Sequence, residues 1–377
     1  MECSKQKLLW YAWSKRENIG YKETANLLDC YGSIEAVFAV DADEINSLEW
    51  LSDSTKVAIL EGIDLDKEYK LYEKLINKDV HFVIQEDTNY PKRLLNMYDP
   101  PRFLYYLGEL PDENLPTIAI IGARECSAYG SQVARTLAKE LAMNKIQVIS
   151  GLAKGVDGYA HRGALEGRGK TFGVIGSGVN ICYPRENYQL YHDVEYQGGI
   201  LSEYPLGSPA LAFHFPVRNR IIAGLSDGIL VVEAKEKSGT LITVDSGLEQ
   251  GKDIYALPGK ITDQLSIGCN RLIQNGAKLV QSSSDIIDEL ANRYPFLKEK
   301  DKKSMQESMV FENQVTSEEK LVLMKLSYEP VHFEKLLIDT GLDTVKLMEV
   351  VFVLQMKGLI KEISAQYYIL HTLFVHS

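Results

Sequence analysis

From residue 117 onward, short runs rich in isoleucine and valine alternate with segments of helical periodicity. The strand-like runs lie at 118–122, 147–152, 171–178, 199–203, 228–234, 253–259 and 278–282. The helical segments between them lie near 127–143, 157–166, 187–195, 218–225 and 240–250. Strands that alternate with helices pair in parallel, because each helix returns the chain to the same end of the sheet. This region therefore predicts an α/β fold with a Rossmann-like, doubly wound, mostly parallel sheet, whose ligands bind beyond the carboxyl ends of the strands.

The segments that flank this region predict a division into domains. Residues 1–79 contain several short helical patterns, which predict an N-terminal helical domain of the SAM or helix-hairpin-helix type. Residues 80–292 comprise the predicted sheet and a segment that leads into it. Residues 293–316 are charged and aperiodic, which predicts a linker. Residues 317–377 contain three helical patterns and a hairpin, which are typical of a winged-helix domain.

The third helix of the predicted winged helix has few basic residues. It carries Lys346 and Lys357, against Asp343 and Glu349. A helix that reads duplex DNA depends on cationic side chains for its phosphate contacts. The pattern favours protein contact or structural support over DNA reading.

Composition excludes several classes of protein. No apolar run approaches the roughly 18 residues of a membrane span, and the first residues lack a signal-peptide core, so we expect a cytoplasmic location and no membrane contact. The five cysteines are widely spaced and never form a C-x-x-C pair, which argues against a zinc cage or a disulfide framework. Asp157 and His161 lie four apart on one predicted helix, but a capping carboxylate and a hydrogen-bonded imidazole are favoured over metal ligands.

The formal net charge of −11 is unevenly distributed. Residues 1–116 carry 13 Lys and Arg against 22 Asp and Glu, whereas residues 117–290 carry 17 against 18. Exposed charges are screened beyond about 8 Å at physiological salt. An acidic N-terminal region is therefore compatible with a local anion site in the predicted sheet.

Glycine and polar residues follow the first predicted strand. Gly122 permits a sharp turn, Ser127 can cap the following helix, and Arg124 can make a bidentate contact with an anion. The N–H groups at a helix start favour a phosphate by about 0.3–1 kcal/mol through the helix dipole. This loop therefore predicts an anion-binding site.

Three later segments follow strands of the same predicted sheet and repeat the pattern. Aromatic rings beside cations suit the bases and phosphates of a nucleic acid, and each stacked base contributes roughly 1–3 kcal/mol. An ordinary core role for the aromatic residues remains open. The candidate residues in these segments are Gly176, Ser177, Gly178 and Arg185; Phe215, Arg218, Asn219 and Arg220; and Ser238, Gly239 and Thr240.

Seven stretches, in order, closely resemble the DNA-processing protein A family, also called DprA or Smf. They are IGARECSAYG, SGLAKGVDGYAH, GSGVNICYPREN, GILSEYPLGSPALAFHFPVRNRIIAGLS, VVEAKEKSGTLIT, EQGKDIYALPG and SIGCNRLIQNGA. The resemblance covers roughly residues 80–290. It implies that residues 80–292 bind single-stranded DNA without sequence preference and form a homodimer. It further implies loading of a RecA-type recombinase onto DNA during natural transformation, with no enzymatic activity and no cofactor.

The resemblance also implies roles for particular residues. Arg124 is similar in position to a phosphate ligand of the family, with Ser127 and the backbone of Gly122 beside it. The rest of the implied basic pocket consists of Arg185, Arg218, Asn219 and Arg220, with a further contribution from Lys154.

A nucleotide-processing enzyme of the phosphoribohydrolase type is the alternative hypothesis. Those enzymes have a related fold and a P-G-G-x-G-T sequence pattern. A catalytic glutamate follows this pattern closely. The comparable stretch here runs from Lys237 to Thr243, and no acidic residue follows it before Asp245. The sequence therefore favours a DNA-binding protein without catalysis.

Overall fold

The computed structural model describes residues 4–16, 19, 21–298, 315–327 and 330–370. Six helices precede the sheet: α1 (Lys5–Ser14), α2 (Tyr21–Tyr31), α3 (Ile34–Val37), α4 (Ala42–Ser47), α5 (Asp53–Leu60) and α6 (Leu65–Ile76). Several begin at a residue whose side chain caps the helix, as Asp64 does at α6 by accepting a hydrogen bond from the N–H of Lys67. The helical pattern predicted for this part of the chain is present.

A nine-stranded sheet dominates the described residues. Its strands are β1 (His81–Ile84), β2 (Phe103–Gly108), β3 (Thr117–Ile121), β4 (Gln147–Ser150), β5 (Thr171–Val174), β6 (Gly199–Ser202), β7 (Gly228–Val231), β8 (Asp253–Ala256) and β9 (Lys278–Leu279). The spatial order is β1-β2-β6-β5-β4-β3-β7-β8-β9. Strands β3 to β9 pair in parallel, whereas β1 and β2 add an antiparallel edge next to β6. The predicted mostly parallel sheet is confirmed.

Helices cover both faces of this sheet. They are α7 (Ala128–Met143), α8 (Val156–Glu166), α9 (Tyr188–Gln197), α10 (His214–Leu225), α11 (Thr240–Glu249), α12 (Ile267–Gln274) and α13 (Ser284–Arg293). Alternate residues of β3 enter different cores: Ile118 and Ile120 pack with α7, α8 and α13, whereas Ala119 and Ile121 pack with α10 and residues of α11 and α12. Successive side chains of a strand point to opposite faces, so a strand covered on both faces is apolar throughout.

The chain order reverses at β3. Strands β4, β5 and β6 lie on one side of it, and β7, β8 and β9 lie on the other. Strands β3 and β7 are neighbours, but the loops that follow them lead to helices on opposite faces of the sheet. A crevice therefore opens between these two loops at the carboxyl ends of the strands. This is where the predicted glycine and arginine loops are located.

The N-terminal helices share a core with the antiparallel edge. Tyr11 of α1 lies 5.6 Å from Phe82 and 6.4 Å from Tyr105 between ring centroids, and Trp10 lies 6.2 Å from Phe103. One continuous cluster of buried residues extends from α1 through β1 and β2 to α9. The domain boundary predicted at residue 79 thus separates helices from strands, but the residues on its two sides share one packed core.

Two short segments flank the parallel strands. The segment before Pro100 forms a 3-10 turn at Lys92–Asn96, because it runs between Pro91 and two further prolines. At the start of the predicted linker, Arg293 is the last residue of α13 and Leu297 is buried at 1% exposure, and the bounds of the linker stay a prediction. Most of the predicted linker lies outside the described residues.

The C-terminal elements have a core of their own. They are α14 (Ser317–Leu323), β10 (Val331–His332), α15 (Phe333–Thr340), α16 (Thr344–Met356), β11 (Ile360–Ser364) and β12 (Tyr367–Leu370). The three strands form an antiparallel sheet in the order β10-β12-β11. Buried side chains of all three helices meet those of the sheet in one cluster. Assignment to the winged-helix class stays a prediction. In the part of the chain that is described, no helix has the length and apolarity to cross a membrane.

Candidate nucleic-acid interface

A cavity of about 790 Å3 opens at the carboxyl ends of β3, β4, β5 and β7, and we call it the cup. It is bounded by the strand-end loops and by the starts of α10 and α11. Its lining includes Gly122, Ala123, Arg124, Glu125, Ala153, Asp157, Tyr183, Ala210, Ala212, Phe215, Pro216, Arg218, Asn219, Lys235, Lys237, Ser238, Gly239, Thr240 and Thr243. Eight of the sequence-predicted residues therefore lie together: Gly122, Arg124, Phe215, Arg218, Asn219, Ser238, Gly239 and Thr240.

Arg218 forms the floor of the cup and is only 6% exposed. Its guanidinium donates hydrogen bonds to the carbonyl oxygens of Gly151, at 2.8 Å, and Val174, and its Nε donates to Asn219 Oδ1 at 3.1 Å. Burial lowers the pKa of Arg218 to about 10, against the opposing effect of Asp157. Arg218 thus ties together the ends of β4 and β5 and orients the amide of Asn219.

Arg124 stands above this floor and is exposed. Its guanidinium carbon lies 5.5 Å from the centroid of the Phe215 ring, and that of Arg218 lies 5.9 Å from the same centroid. The charge of Arg124 further lowers the pKa of Arg218, so the two cations repel each other. Among the described residues, no carboxylate forms an ion pair with Arg124. Its charge is available to an anion that enters the cup.

The ring of Phe215 stacks on Tyr183, with centroids 5.8 Å apart and planes inclined at 25°. Tyr183 is 52% exposed, so one face of this aromatic pair is accessible from solvent. A flat apolar surface next to two guanidinium groups suits a planar base attached to a phosphate. Gly176 supports this arrangement from behind, because a Cβ there would lie 3.2 Å from Phe215.

The opposite wall is formed by the loop after β7 and the start of α11. Thr240 donates a hydrogen bond through Oγ1 to the carbonyl of Gly122 at 3.1 Å, which joins this wall to the loop after β3. Two exposed lysines, Lys235 and Lys237, line the same wall. Sequence reasoning missed both of them, although they directly follow a predicted strand and precede Ser238.

Four predicted residues are not part of the lining because they are engaged elsewhere. Arg220 donates to both carboxylate oxygens of Glu203 at 2.6 Å and to the Asp99 carbonyl at 2.8 Å, so its charge is neutralised internally. Ser177 is 1% exposed and donates to the Ile181 carbonyl at 3.2 Å. Gly176 accepts from His214 Nδ1 at 2.9 Å, and Gly178 donates to the Ser208 carbonyl at 3.0 Å. Arg220 and Ser177 thus have internal partners, and a ligand contact at either residue stays a prediction.

Lys154 and Arg185 lie at the surface outside the lining. Lys154 forms an ion pair with Glu186 at 2.5 Å, and both side chains are more than half exposed. Arg185 is exposed in a short 3-10 turn that precedes α9. The structure does not bring these two residues into the cup, and a DNA contact at Arg185 stays a prediction.

Ser127 caps α7, as predicted. The position at the start of this helix where a phosphate is expected is occupied by a carboxylate of the protein itself. Ser127 Oγ accepts a hydrogen bond from the N–H of Gly130 at 3.0 Å. Its own N–H and hydroxyl donate to the carboxylate of Glu233 at 2.9 and 2.5 Å. Glu233 is 3% exposed and lies two residues after the end of β7. Ser127 thus has an internal partner, and a contact between Ser127 and DNA stays a prediction.

Asp157 and His161 are each engaged by partners within the protein. Asp157 accepts from the N–H of Gly151 at 3.1 Å; burial raises its pKa and the charge of Arg218 opposes that effect. His161 is fully buried and contacts Thr171 Oγ1 at 2.7 Å. No group of three or more potential metal ligands occurs among the residues that the structure describes.

The fold and the cup define a class of protein: a Rossmann-like α/β protein with a cationic, aromatic-lined cavity at the point where the strand order reverses. A model of the family described as DNA recombination-mediator protein A matches residues 81–291. The chain belongs to this family, which confirms the resemblance that the sequence motifs indicate.

Two curated relatives extend this comparison. The chain is 45% identical over 216 residues to DNA processing protein DprA of Streptococcus pneumoniae, which covers 57% of this chain and 76% of that protein. It is 33% identical over 292 residues to protein Smf of Synechocystis, which covers 76% and 73% respectively.

Two solved structures share the fold. The X-ray structure of DprA from Streptococcus pneumoniae superposes with a TM-score of 0.65 and 34% identity, over 77% of this chain and 99% of that one. DNA processing protein A from Helicobacter pylori superposes with a TM-score of 0.51 and 30% identity, over 57% and 97% respectively. The Helicobacter pylori structure is described by its single-stranded DNA binding mode.

Proposed function

We propose that the cup binds single-stranded DNA without sequence preference. The observation that carries the proposal is the placement of Arg124 and Arg218 around the ring of Phe215. A phosphate near Arg124 relieves the repulsion between the two cations, and a base next to that phosphate stacks on the aromatic pair. Every base has a stacking face, so this mode of binding does not select a sequence.

Duplex DNA binds much more weakly in this proposal. Its bases are already stacked and paired, so they are not available to Phe215 and Tyr183. The remaining attraction comes from a few cations, and the protein as a whole carries a net charge of −11. The single-stranded DNA binding described for the Helicobacter pylori relative supports the same assignment.

We also propose that the protein loads a RecA-type recombinase onto the bound strand and acts as a cytoplasmic homodimer in natural transformation or a related process. Family membership supports this part of the proposal. In this scheme residues 80–292 hold the DNA, and residues 1–79 and 317–377 form the flanking helical and winged-helix domains. The exposed face of α16 displays Met348 and Phe352, at 59% and 64% exposure, which favours protein contact over DNA reading.

The test of DNA binding is fluorescence anisotropy with a labelled oligothymidylate and with a duplex of equal length. We expect tight binding of the single strand, weak binding of the duplex, and a loss of about 10- to 100-fold in affinity for Arg124→Ala, the equivalent of roughly 1.5–3 kcal/mol for one charged hydrogen-bonded contact. Arg162→Ala is the matched control, because Arg162 is exposed but lies outside the cup over the ring of Tyr159. Equal affinity for the two DNAs, or an unchanged Arg124→Ala protein, would contradict the proposal.

Two further assays separate the remaining hypotheses. Release of ribose 5-phosphate from nucleoside monophosphates would favour the phosphoribohydrolase alternative. A recombinase pull-down with the Arg124→Ala protein tests the loading step. If that variant still retains the recombinase, protein contact and DNA binding use different surfaces.

A further inference from the structure

We propose that Glu233 is a positioning residue, which holds the loop at residues 122–127 so that Arg124 is presented to the cup before DNA arrives. This inference rests on the proposed function, because it assigns Arg124 to the ligand. Glu233 itself is 3% exposed and is not part of the lining of the cup. It acts through Ser127 and does not touch the ligand.

Glu233 contacts the start of α7 through Ser127. Both carboxylate oxygens of Glu233 accept hydrogen bonds from Ser127, one from its N–H and one from its hydroxyl. An anion at a helix N-terminus is stabilised by the helix dipole and by unpaired N–H groups. Glu233 therefore supplies, from inside the protein, the negative charge that the sequence pattern predicts for an external phosphate.

The carboxylate of Glu233 is closely surrounded. A Cβ at residue 130 would lie 2.3 Å from the Glu233 carboxyl carbon, so the carboxylate fits because residue 130 is glycine. The charge of Glu233 also contributes to the raised pKa of Cys126 and Tyr129, after the larger effect of burial on each. The carboxylate of Glu233 thus occupies the anion position at the start of α7, and an incoming phosphate must bind at Arg124 instead.

The loop at residues 122–127 is held by hydrogen bonds at three points. The hydroxyl of Thr240 donates to the Gly122 carbonyl at 3.1 Å, and the N–H of Val156 donates to the Ala123 carbonyl at 3.2 Å. Glu233 holds the far end of the loop through Ser127. Between these points the side chain of Arg124 stays exposed over Phe215. A loop that is ordered before binding avoids the loss of conformational freedom on binding.

The test compares Glu233→Ala and Glu233→Gln with the parent by oligothymidylate anisotropy. We expect Glu233→Ala to bind about three- to tenfold more weakly, the range expected for ordering one flexible side chain. Glu233→Gln should retain part of the affinity, since its amide oxygen can still accept from the Ser127 N–H. Glu319→Gln is the matched control: Glu319 is a buried carboxylate that caps α14 in the C-terminal region. This control should leave DNA affinity unchanged.

A double-mutant cycle distinguishes positioning from general stability. Because Glu233 acts through Arg124, Glu233→Ala should cost little further affinity in an Arg124→Ala background. An additive loss in that background, or an unchanged Glu233→Ala protein, would overturn the inference.

Hydrogen exchange of the free protein gives a readout that does not depend on DNA. Amides at residues 122–130 should exchange faster in Glu233→Ala than in the parent, and Glu319→Gln should not change them. Equal protection in Glu233→Ala and the parent would refute the role of Glu233 in the loop. Failure of the parent to bind the oligonucleotide would instead refute the proposed function, and the exchange result would still decide whether Glu233 orders the loop.

Discussion

Three arginines that belong to the predicted site have different roles because their partners differ. Arg220 is neutralised by Glu203, and Arg218 is buried against backbone carbonyls with Asp157 nearby. Arg124 lies exposed over an aromatic ring. A buried arginine that donates to several carbonyls holds backbone segments together, whereas an exposed one can exchange water for a phosphate. Of these three arginines, Arg124 is therefore the one expected to contact a phosphate directly.

Glu125 brings a negative charge into the lining of the cup, next to Arg124. Glu125→Gln should strengthen binding of oligothymidylate by up to about fivefold, since removal of an exposed like charge changes the binding free energy by about 0.2–1 kcal/mol. Glu236→Gln is the control: Glu236 lies in the next strand-end loop, outside the lining, and pairs with Arg271 at 3.6 Å. Weaker binding by Glu125→Gln would show that the carboxylate supports the site. The anisotropy assay measures both variants.

His161 should make the stability of the protein depend on pH. Thr171 donates its hydroxyl to the Val148 carbonyl, so His161 Nδ1–H donates to Thr171 and the ring is neutral. Burial lowers the pKa of His161 to about 3, from an ordinary value near 6.5. The unfolded chain therefore binds a proton that the folded chain excludes, and this contribution to stability is lost as pH falls from about 6.5 toward 3.

Urea unfolding at pH 6 and pH 5 measures this effect. We expect the free energy of unfolding of the parent to fall more steeply than that of His161→Phe, by up to about 1.4 kcal/mol per pH unit. Thr171→Val removes the same hydrogen bond but retains the imidazole, so it should be less stable and keep the parent's slope. Equal slopes for the parent and His161→Phe would contradict the assignment.

At the scale of elements, the loop between β3 and α7 depends on close approach by its neighbours. Gly155 has a φ of +74°, and a Cβ there would lie 2.2 Å from the carbonyl oxygen of Ala123 and 2.5 Å from that of Arg124. No other residue fits without moving the loop that carries Arg124. The start of α8 thus sets the position of the loop after β3.

Gly155→Ala should therefore destabilise the fold and also weaken DNA binding. We expect a loss of about 1–3 kcal/mol in the free energy of unfolding from backbone strain, and a loss of affinity on the order of tenfold. Gly251→Ala shares the positive φ, at +65°, but has nothing within 4 Å of the added Cβ. This control should lose stability and keep its affinity. Thermal unfolding and anisotropy on the same samples separate the two effects.

The elements of the sheet are largely predictable from the sequence, because buried parallel strands are continuous apolar runs and the loops after them carry glycine. The cap at Ser127 is predictable for the same reason: it depends on residues three apart in the chain. The partners of Ser127 and Arg220 are not predictable in this way. Glu233 lies 106 residues from Ser127, and Glu203 lies 17 residues from Arg220, in the loop after β6. Local sequence patterns identify loops that can bind an anion. Only the packed structure shows which of these loops already contact a carboxylate of the protein.

At the scale of the whole molecule, a net charge of −11 coexists with a local cluster of cations. Arg124, Lys235 and Lys237 are exposed in the cup, and screening limits the influence of acidic residues elsewhere. Binding should therefore depend on a small number of phosphates. A protein that coats DNA by bulk charge would show a much steeper dependence on salt.

The salt dependence of oligothymidylate binding measures how many phosphates the protein neutralises. The slope of log affinity against log salt should be about −1.4 to −2.1, for two to three neutralised phosphates at about 0.7 each. Lys235→Ala and Lys237→Ala should each reduce the slope by at most about 0.7. Lys170→Ala is the control, since Lys170 is paired with Glu109 at 2.8 Å and lies outside the cup. A slope near −7 would indicate a far larger basic surface than the cup.

The aromatic cluster that joins α1 to the antiparallel strands has a consequence for how this chain can be rearranged in evolution. Phe82 and Tyr105 are at most 3% exposed, and Tyr11 covers both of them. Recombination between genes at the predicted division near residue 79 would leave these rings facing water. We therefore expect that an exchange of the N-terminal helices for those of another protein requires matched changes in β1 and β2.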